Sequence, residues 1–226
     1  MKCYIIRLEE NDHSCKMAEE CKEQAAKFGI EAEYFKAING NDVDLHYEKT
    51  GVFQKRKTKK GRLGVLGCFF SHYYLWLKCV ELSEPIIILE HDGFILRSIP
   101  DSILDNFDDV LKLDRLDPYS KSYSTSLKQE ENLDIKIEKY VHLNPKNPHK
   151  IGTGNYFKGA YAYIIKPHAA QKIIDHISVN GHVPADQQIG DWVVDTRTTV
   201  PSLARLHPWY SIGNNISTGS LTKNLL

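Results

Sequence analysis

The sequence predicts an α/β fold, a mixed and mostly parallel central sheet flanked by helices, and two stretches carry that expectation. The chain opens as β-α-β within residues 3–38, the usual start of an α/β domain. Further on, Pro85 to Leu89 reads PIIIL, and an apolar, β-branched run of this length is a strand covered on both faces. That run stops abruptly on Glu90, His91 and Asp92. In open α/β sheets ligands collect beyond the carboxyl ends of the strands, so two carboxylates there mark the first place to look for chemistry.

Taken in order, CYIIRL (3–8) is the first strand. Asp12 or Ser14 is placed to cap a helix through Phe28, because Met17, Cys21, Ala25 and Phe28 recur at helical spacing and Gly29 closes it. IEAEYFKAI (30–38) alternates as a second strand, and NGND turns the chain. Six of the eight residues from Lys55 to Arg62 are basic and no apolar residue anchors them, which reads as a mobile loop. Residues 65–82 read as a helix: Leu66, Phe69, Phe70, Tyr73, Leu77 and Val80 share a broad face, with Cys68, Ser71, His72 and Leu75 on a neighbouring strip.

The strand 85–89 follows. The acidic stretch 100–117 predicts a short helix, Ser102 to Asp109, and a strand, Val110 to Leu113, while residues 118–150 are polar and unassigned. Residues 159–165 alternate as a strand. Pro167 suits the first turn of a helix through Ile177, with Ala170, Ile173, Ile174 and Ile177 inward. PADQQIGDWVVD predicts another short helix, and the tail from Pro201 reads as loop. No repeat and no linker divides the chain, so one domain over residues 1–226 is expected.

Composition narrows the class. With 42% hydrophobic and 26% charged residues among 226, the chain is ordinary for a globular protein and long enough to bury a core. A formal net charge of zero excludes a uniformly basic nucleic-acid binder but not a local patch. Five cysteines form no CxxC pair and leave one over if bridged, which suits reduced thiols in a reducing compartment. The apolar part of MKCYIIRLEEND is too short for a signal peptide, and no stretch approaches the ~18 apolar residues of a membrane span. A cytoplasmic location is expected.

Several residues carry chemistry or a plainer alternative. Glu90 and Asp92, two residues apart at a rigid strand end, can hold a hard divalent cation that keeps positions open for phosphate oxygens; two solvated carboxylates are the bland version. His72 either bonds a ligand, holds Glu90, or is a satisfied core histidine. Ser71 can bond back to the carbonyl four residues earlier. Asp186 is a candidate general base or a helix N-cap. His207, in RLHPW, either completes a metal shell or is a surface histidine. The basic run 55–62 is a solvated loop or a phosphate contact. No Walker loop, GxGxxG or GxSxG is present.

Together these pieces resemble glycosyltransferase family 25, the lipooligosaccharide galactosyltransferase-like proteins related to collagen galactosyltransferases, over most of the chain. CYIIRL and then GIEAEYFKAINGND are similar to the family's first strand and its turn at Phe35, Ala37 and Gly40. LGVLGCFFSHYYLW carries the most diagnostic match, at Gly67, Cys68, Ser71 and His72, with Trp76 after it. PIIILEHD resembles the metal motif at Leu89, Glu90 and Asp92, GAYAYIIKPHAAQKII the alternating strand and helix, and PADQQ the segment at Asp186. Two departures stand out. His91 replaces the middle acid of the metal motif, and the arginine usual near the start of the first helix is missing near His13 and Ser14.

The resemblance implies a GT-A-type nucleotide-sugar-binding domain using Mn²⁺ or Mg²⁺ with a UDP-sugar donor, and transfer of a hexose or pentose with inversion. It implies Glu90 and Asp92 as metal ligands and Asp186 as the base; His207 stays a further metal candidate from its own place in RLHPW. Ser71, His72 and Glu90 would line the donor pocket, and Gly159 and Ala160 would let a sugar ring approach the backbone. The expected acceptor is a saccharide such as a lipooligosaccharide core. A rival acceptor is a hydroxymethylated base in DNA, motivated by the basic run. A non-catalytic sugar-nucleotide binder is the third reading, motivated by His91. A two-metal phosphoesterase is disfavoured for want of gathered histidines.

Overall fold

A computed structural model describes residues 1–55, 63–115, 133–141 and 156–207. Most of the unassigned polar stretch, most of the basic run and the end of the tail lie outside the described residues. Strand β1 (Lys2–Arg7), helix α1 (Asp12–Lys27) and strand β2 (Ala32–Lys36) form the expected β-α-β opening. The cap of α1 is Asn11, whose side chain accepts the Ser14 N–H at 2.8 Å, and not Asp12 or Ser14. Ser14 instead ties the end of β1 to the helix, its buried hydroxyl accepting the Leu8 N–H at 3.0 Å.

Helix α2 (Val43–Thr50) has no counterpart in the sequence reading. Only Val43 of it is buried and Leu45 is exposed, so it has no apolar stripe to read. Helix α3 (Leu63–Leu82) and strand β3 (Ile86–Glu90) follow, then β4 (Gly93–Ile95), a 3₁₀ turn over Asp101–Asn106, β5 (Val110–Lys112) and β6 (Lys136–Lys139). The chain continues through β7 (Ala162–Ile165), α4 (Pro167–Asn180), the single-turn α5 (Ala185–Gln188), β8 (Thr196–Val200) and β9 (Ala204–Leu206). Strands β4, β6, β8 and β9 were missed. They are short, β6 and β8 are rich in charge or threonine, and cross-strand pairing rather than their own pattern holds them.

The seven-stranded sheet has the order β2-β1-β3-β7-β5-β8-β6, and β4 pairs with β9 apart from it. Only β7 and β6 run against the other five strands, which is the mixed, mostly parallel sheet expected. From β1 the chain moves to β2 on one side and later to β3 on the other. The sheet therefore has a switch point at the carboxyl ends of β1 and β3, where a crevice opens.

Alternation along β3 sets the two cores. Ile86 and Ile88 pack with Phe69, Trp76 and Ile173 of α3 and α4, while Ile87 and Leu89 pack with Met17, Cys21 and Ala25 of α1. Helix α3 is buried nearly all round, including Leu75, Trp76 and Cys79, with Leu77 on its open side contrary to the expected face. It is long and apolar enough to cross a membrane by composition, but more than half of that window is buried inside the protein, so it packs as a core helix.

Two glycines let α3 approach the end of β2. A Cβ on Gly67 would meet the Ile38 carbonyl oxygen at 2.3 Å, and one on Gly40 the Leu63 backbone at 2.5 Å. Gly67→Ala is therefore expected to lower stability by about 1–3 kcal/mol through overpacking against backbone. A thermal melt followed by circular dichroism checks it, with roughly 2–4 °C lost per kcal/mol for a chain of this size. An unchanged melting point contradicts the packing argument.

Candidate active site

Because side chains alternate along a strand, Glu90 continues the Ile86–Ile88 face and points at α3. Two residues one turn apart on that helix meet it. His72 Nε2 lies 3.1 Å from Glu90 Oε1 and the Cys68 thiol 3.7 Å from the same oxygen. Behind His72, its Nδ1 lies 2.8 Å from the Tyr163 hydroxyl, which also accepts the Trp76 indole N–H at 2.9 Å. An indole N–H only donates, so the Tyr163 proton goes to His72 Nδ1. The imidazole then carries its proton on Nε2 and donates it to Glu90. Trp76, Tyr163 and His72 are all completely buried. No hydrogen bond reaches Glu90 Oε2 among the described residues, and 26% of the side chain is open to solvent.

Glu90 lies at the edge of a cleft of about 500 Å³, counting its open mouth. The walls come from the carboxyl ends of β1 and β2 (Ile6, Leu8, Ala37, Ile38), from Ser71 and His72, and from His91. Ser71 is a clip as well as a wall. Its hydroxyl donates to the Gly67 carbonyl four residues back and accepts the Ile38 N–H, both at 2.8 Å, so α3 is fastened to the chain leaving β2.

The electrostatics are acidic. Burial pushes Glu90 up, but the His72 hydrogen bond, the electrostatic pull of the His72 and His91 rings and the Cys68 thiol outweigh it and hold the carboxyl below its ordinary value. Burial, then the charges of Glu90, Asp186 and Asp92, push the Cys68 thiol well above its ordinary value. Cys68 is thus a protonated donor to Glu90. Asp186 is raised to about 6, first by burial and also by the charge of Glu90, with the backbone N–H groups of Gly159 and Gln187 opposing the rise. Asp186 is not an N-cap: Pro184 holds that position, and the Asp186 carboxylate accepts the adjacent Gln187 N–H at 2.9 Å.

The other predicted residues scatter more widely. Gly159, at φ +77°, turns its N–H onto Asp186, and Ala160 is packed in the core beside α3. Neither lines the cleft. Asp92 is 8% exposed, and its charge reaches both Cys21 on α1 and Cys68 on α3. His207 is buried rather than on the surface; its Nε2 lies 2.9 Å from Glu20 Oε2 and its ring stands edge-on to Phe94. The β4–β9 pairing brings its backbone N–H to the Asp92 carbonyl at 2.8 Å, while Glu20 holds the imidazole.

Among the described residues, the ligand-type atoms that gather within 4.8 Å are those of Cys68, His72 and Glu90, and not those of Glu90, Asp92 and His207. A soft-metal site would need the thiolate that this setting disfavours. The residues do fit a hard divalent cation held chiefly by phosphates, which takes one or two carboxylates from the protein. The charges of Glu90, Asp186 and Asp92 all bear on Cys68, and that of Glu90 on Asp186, so a diphosphate entering here meets repulsion that a positive charge between them would offset. His91, whose buried Nε2 has no hydrogen-bond partner among the described residues, adds an unmet polar atom beside the cleft.

Tyr163 and Trp76 were missed as part of this site. A tyrosine inside a buried strand has to place its hydroxyl somewhere, but the sequence does not say where. Tyr163→Phe strands the Trp76 N–H and the His72 Nδ1 and is expected to cost about 1–3 kcal/mol. In nitrogen-15 NMR the wild-type His72 should show its proton on Nε2, and the variant a mixture of tautomers. A wild-type ring protonated on Nδ1 contradicts the relay.

Comparison with known proteins bears on what this arrangement serves. A curated relative, the "Glycosyltransferase 25 family member" of Aedes aegypti, is 25% identical over 174 residues, covering 72% of this chain and 26% of that protein. The chain thus spans about a quarter of that relative's length. Two solved structures are distantly alike. A glycosyltransferase involved in glycosylation of the major capsid of PBCV-1 has TM-score 0.36, 10% identity and coverage of 78% of this chain and 67% of that one. Apo mouse xyloside xylosyltransferase 1 has TM-score 0.36, 12% identity and coverage of 83% and 79%. Residues 1–189 match the pattern of "Glycosyltransferase family 25 (LPS biosynthesis protein)", and the chain belongs to that family.

Proposed function

We propose that the chain is a metal-dependent glycosyltransferase that moves a sugar from a UDP-sugar to a hydroxyl of a saccharide acceptor, with inversion. The observation that carries the reading is Glu90: one carboxylate oxygen fixed by His72 and Cys68, the other left open, beside a cleft at the carboxyl ends of β1, β2 and β3. Family membership supports the chemistry, and the family's description as LPS biosynthesis proteins supports an acceptor such as a lipooligosaccharide core.

In this reading the nucleotide occupies the cleft and its diphosphate lies against Glu90. Glu90 and Asp92 would hold Mn²⁺ or Mg²⁺, which would supply positive charge beside the departing diphosphate. His72 and Cys68 keep Glu90 ionised and in place. The acceptor oxygen attacks the anomeric carbon from the side opposite the diphosphate; the new C–O bond forms as the old one breaks, and its electron pair leaves with UDP. Asp186 takes the acceptor proton. A carboxylate raised to about 6 remains mostly ionised at neutral pH and is a stronger base than an ordinary aspartate. The DNA reading gains nothing from the structure, since of the basic run only Lys55 is described.

Calorimetric titration tests the donor site. UDP is expected to bind with Mn²⁺ present and much more weakly without it, and Glu90→Gln or Asp92→Ala should abolish the metal-dependent part. Equal binding with and without metal overturns the metal-dependent donor reading. The base has its own test. Asp186 must be ionised to accept a proton, so kcat/KM should rise with pH and level off above about 6. Asp186→Asn should lower kcat by about 10²–10⁴-fold while UDP affinity is kept. An unchanged pH profile in Asp186→Asn removes Asp186 from the base role.

A further inference from the structure

We propose that Tyr156 and Trp192 form the acceptor platform, an aromatic wall that holds one face of a pyranose ring while a hydroxyl of that ring reaches Asp186. The proposal rests on Asp186 being the base in the reading above. It commits the acceptor to be a saccharide.

Backbone pairing puts the platform beside the base. Tyr156 bridges to Gly190 and the Phe157 N–H bonds to the Ile189 carbonyl at 3.0 Å. Segment 156–157 therefore crosses the chain just after α5, the turn that carries Asp186. From the other side the Gly159 backbone reaches the Asp186 carboxylate. The charge of Asp186 is felt at the Tyr156 hydroxyl, so ring and carboxylate share one corner. Trp192 stands against Tyr156 with ring centroids 6.1 Å apart, and it is 39% exposed. A large open aromatic packed on a tyrosine that feels a half-buried carboxylate is the usual make-up of a small-ligand site, apolar area with a few fixed polar groups.

The position also fits the geometry of transfer. The cleft is walled by residues of β1, β2 and α3 with Glu90 and His91, and none of its lining comes from segments 156–160 or 183–194. Glu90 lines the cleft, its charge reaches Asp186 and that of Asp186 reaches Tyr156, and in this proposal the acceptor sits at the far end of that series from the departing diphosphate. An in-line displacement requires that order.

Shape and charge favour a sugar over a nucleic acid. The two rings are inclined at 56°, so they leave no parallel gap for a flat base, whereas a puckered ring can lay its C–H face on one and its edge on the other. The charged groups around Trp192 neutralise one another: Lys139 bridges Asp191 and Asp195 at 3.5 and 3.3 Å, and Arg197 pairs with Asp195 at 2.7 Å. Among the described residues, that flank is no basic track for a phosphate backbone.

Saturation-transfer NMR with methyl β-D-galactopyranoside and methyl β-D-glucopyranoside, run with UDP and Mn²⁺ present, tests the platform. Wild-type protein should transfer saturation to the ring protons of at least one glycoside. Trp192→Ala should weaken that binding at least about tenfold, Trp192→Phe should largely restore it, and UDP affinity and melting temperature should stay at wild-type values in both. Unchanged glycoside binding in Trp192→Ala overturns the proposal, and so does binding of neither glycoside to the wild type. A 5-hydroxymethylcytosine duplex that binds in a Trp192-dependent way would replace the saccharide with DNA and also overturns it. If wild-type protein fails to bind UDP while Trp192-dependent glycoside binding persists, the donor reading fails and the sugar platform stands.

Discussion

A carboxylate at the end of a buried strand has to be held against its own desolvation, and in this protein the holding comes from helix α3. His72 and Cys68, one turn apart, put two donors on a single oxygen of Glu90. The Tyr163 hydroxyl, fixed by the Trp76 indole, decides which nitrogen of His72 carries the proton. Only the far oxygen of Glu90 is left for anything that enters the cleft. Strand β3 supplies the position, α3 the orientation and β7 the tautomer, so the sheet and its covering helix meet in one functional group.

That arrangement depends on how closely α3 lies on the sheet. Gly67 and Gly40 admit backbone contacts that a methyl group would block. Ser71 commits its hydroxyl to two backbone partners to hold the same approach. The motif read from the sequence as Gly67, Cys68, Ser71 and His72 therefore divides its labour: glycine and serine set the distance, while cysteine and histidine use it. A second support lies under Asp186. His182 stacks on Phe69 at 3.7 Å and bonds to the Tyr47 hydroxyl at 2.7 Å. Burial lowers it to about 4, so a neutral ring fastens the chain leading into α5.

Much of this was legible because it follows from periodicity and from strand ends. PIIILEHD announces a buried strand with an acidic end, and the 65–82 pattern announces the helix beside it. The capping of α1 by Asn11 was one residue away from the reading, within the range in which neighbouring polar residues compete for a cap. Helix α2 and strands β4, β6, β8 and β9 were not legible, because each is short and takes its stability from partners distant in sequence. The site was legible in its acids and illegible in their wiring. Nothing in the sequence pairs Tyr163 with His72, 91 residues apart, or takes His207 to Glu20 instead of to Glu90.

The central claim is that the open oxygen of Glu90 anchors the cation that carries the diphosphate. Anomalous diffraction at the manganese edge, from crystals grown with Mn²⁺ and UDP, tests it most directly. The account predicts a peak at ~2.1 Å from Glu90 Oε2, with His72 and Cys68 still on Oε1. A peak coordinated by the Cys68 sulfur, or one remote from Glu90, contradicts it.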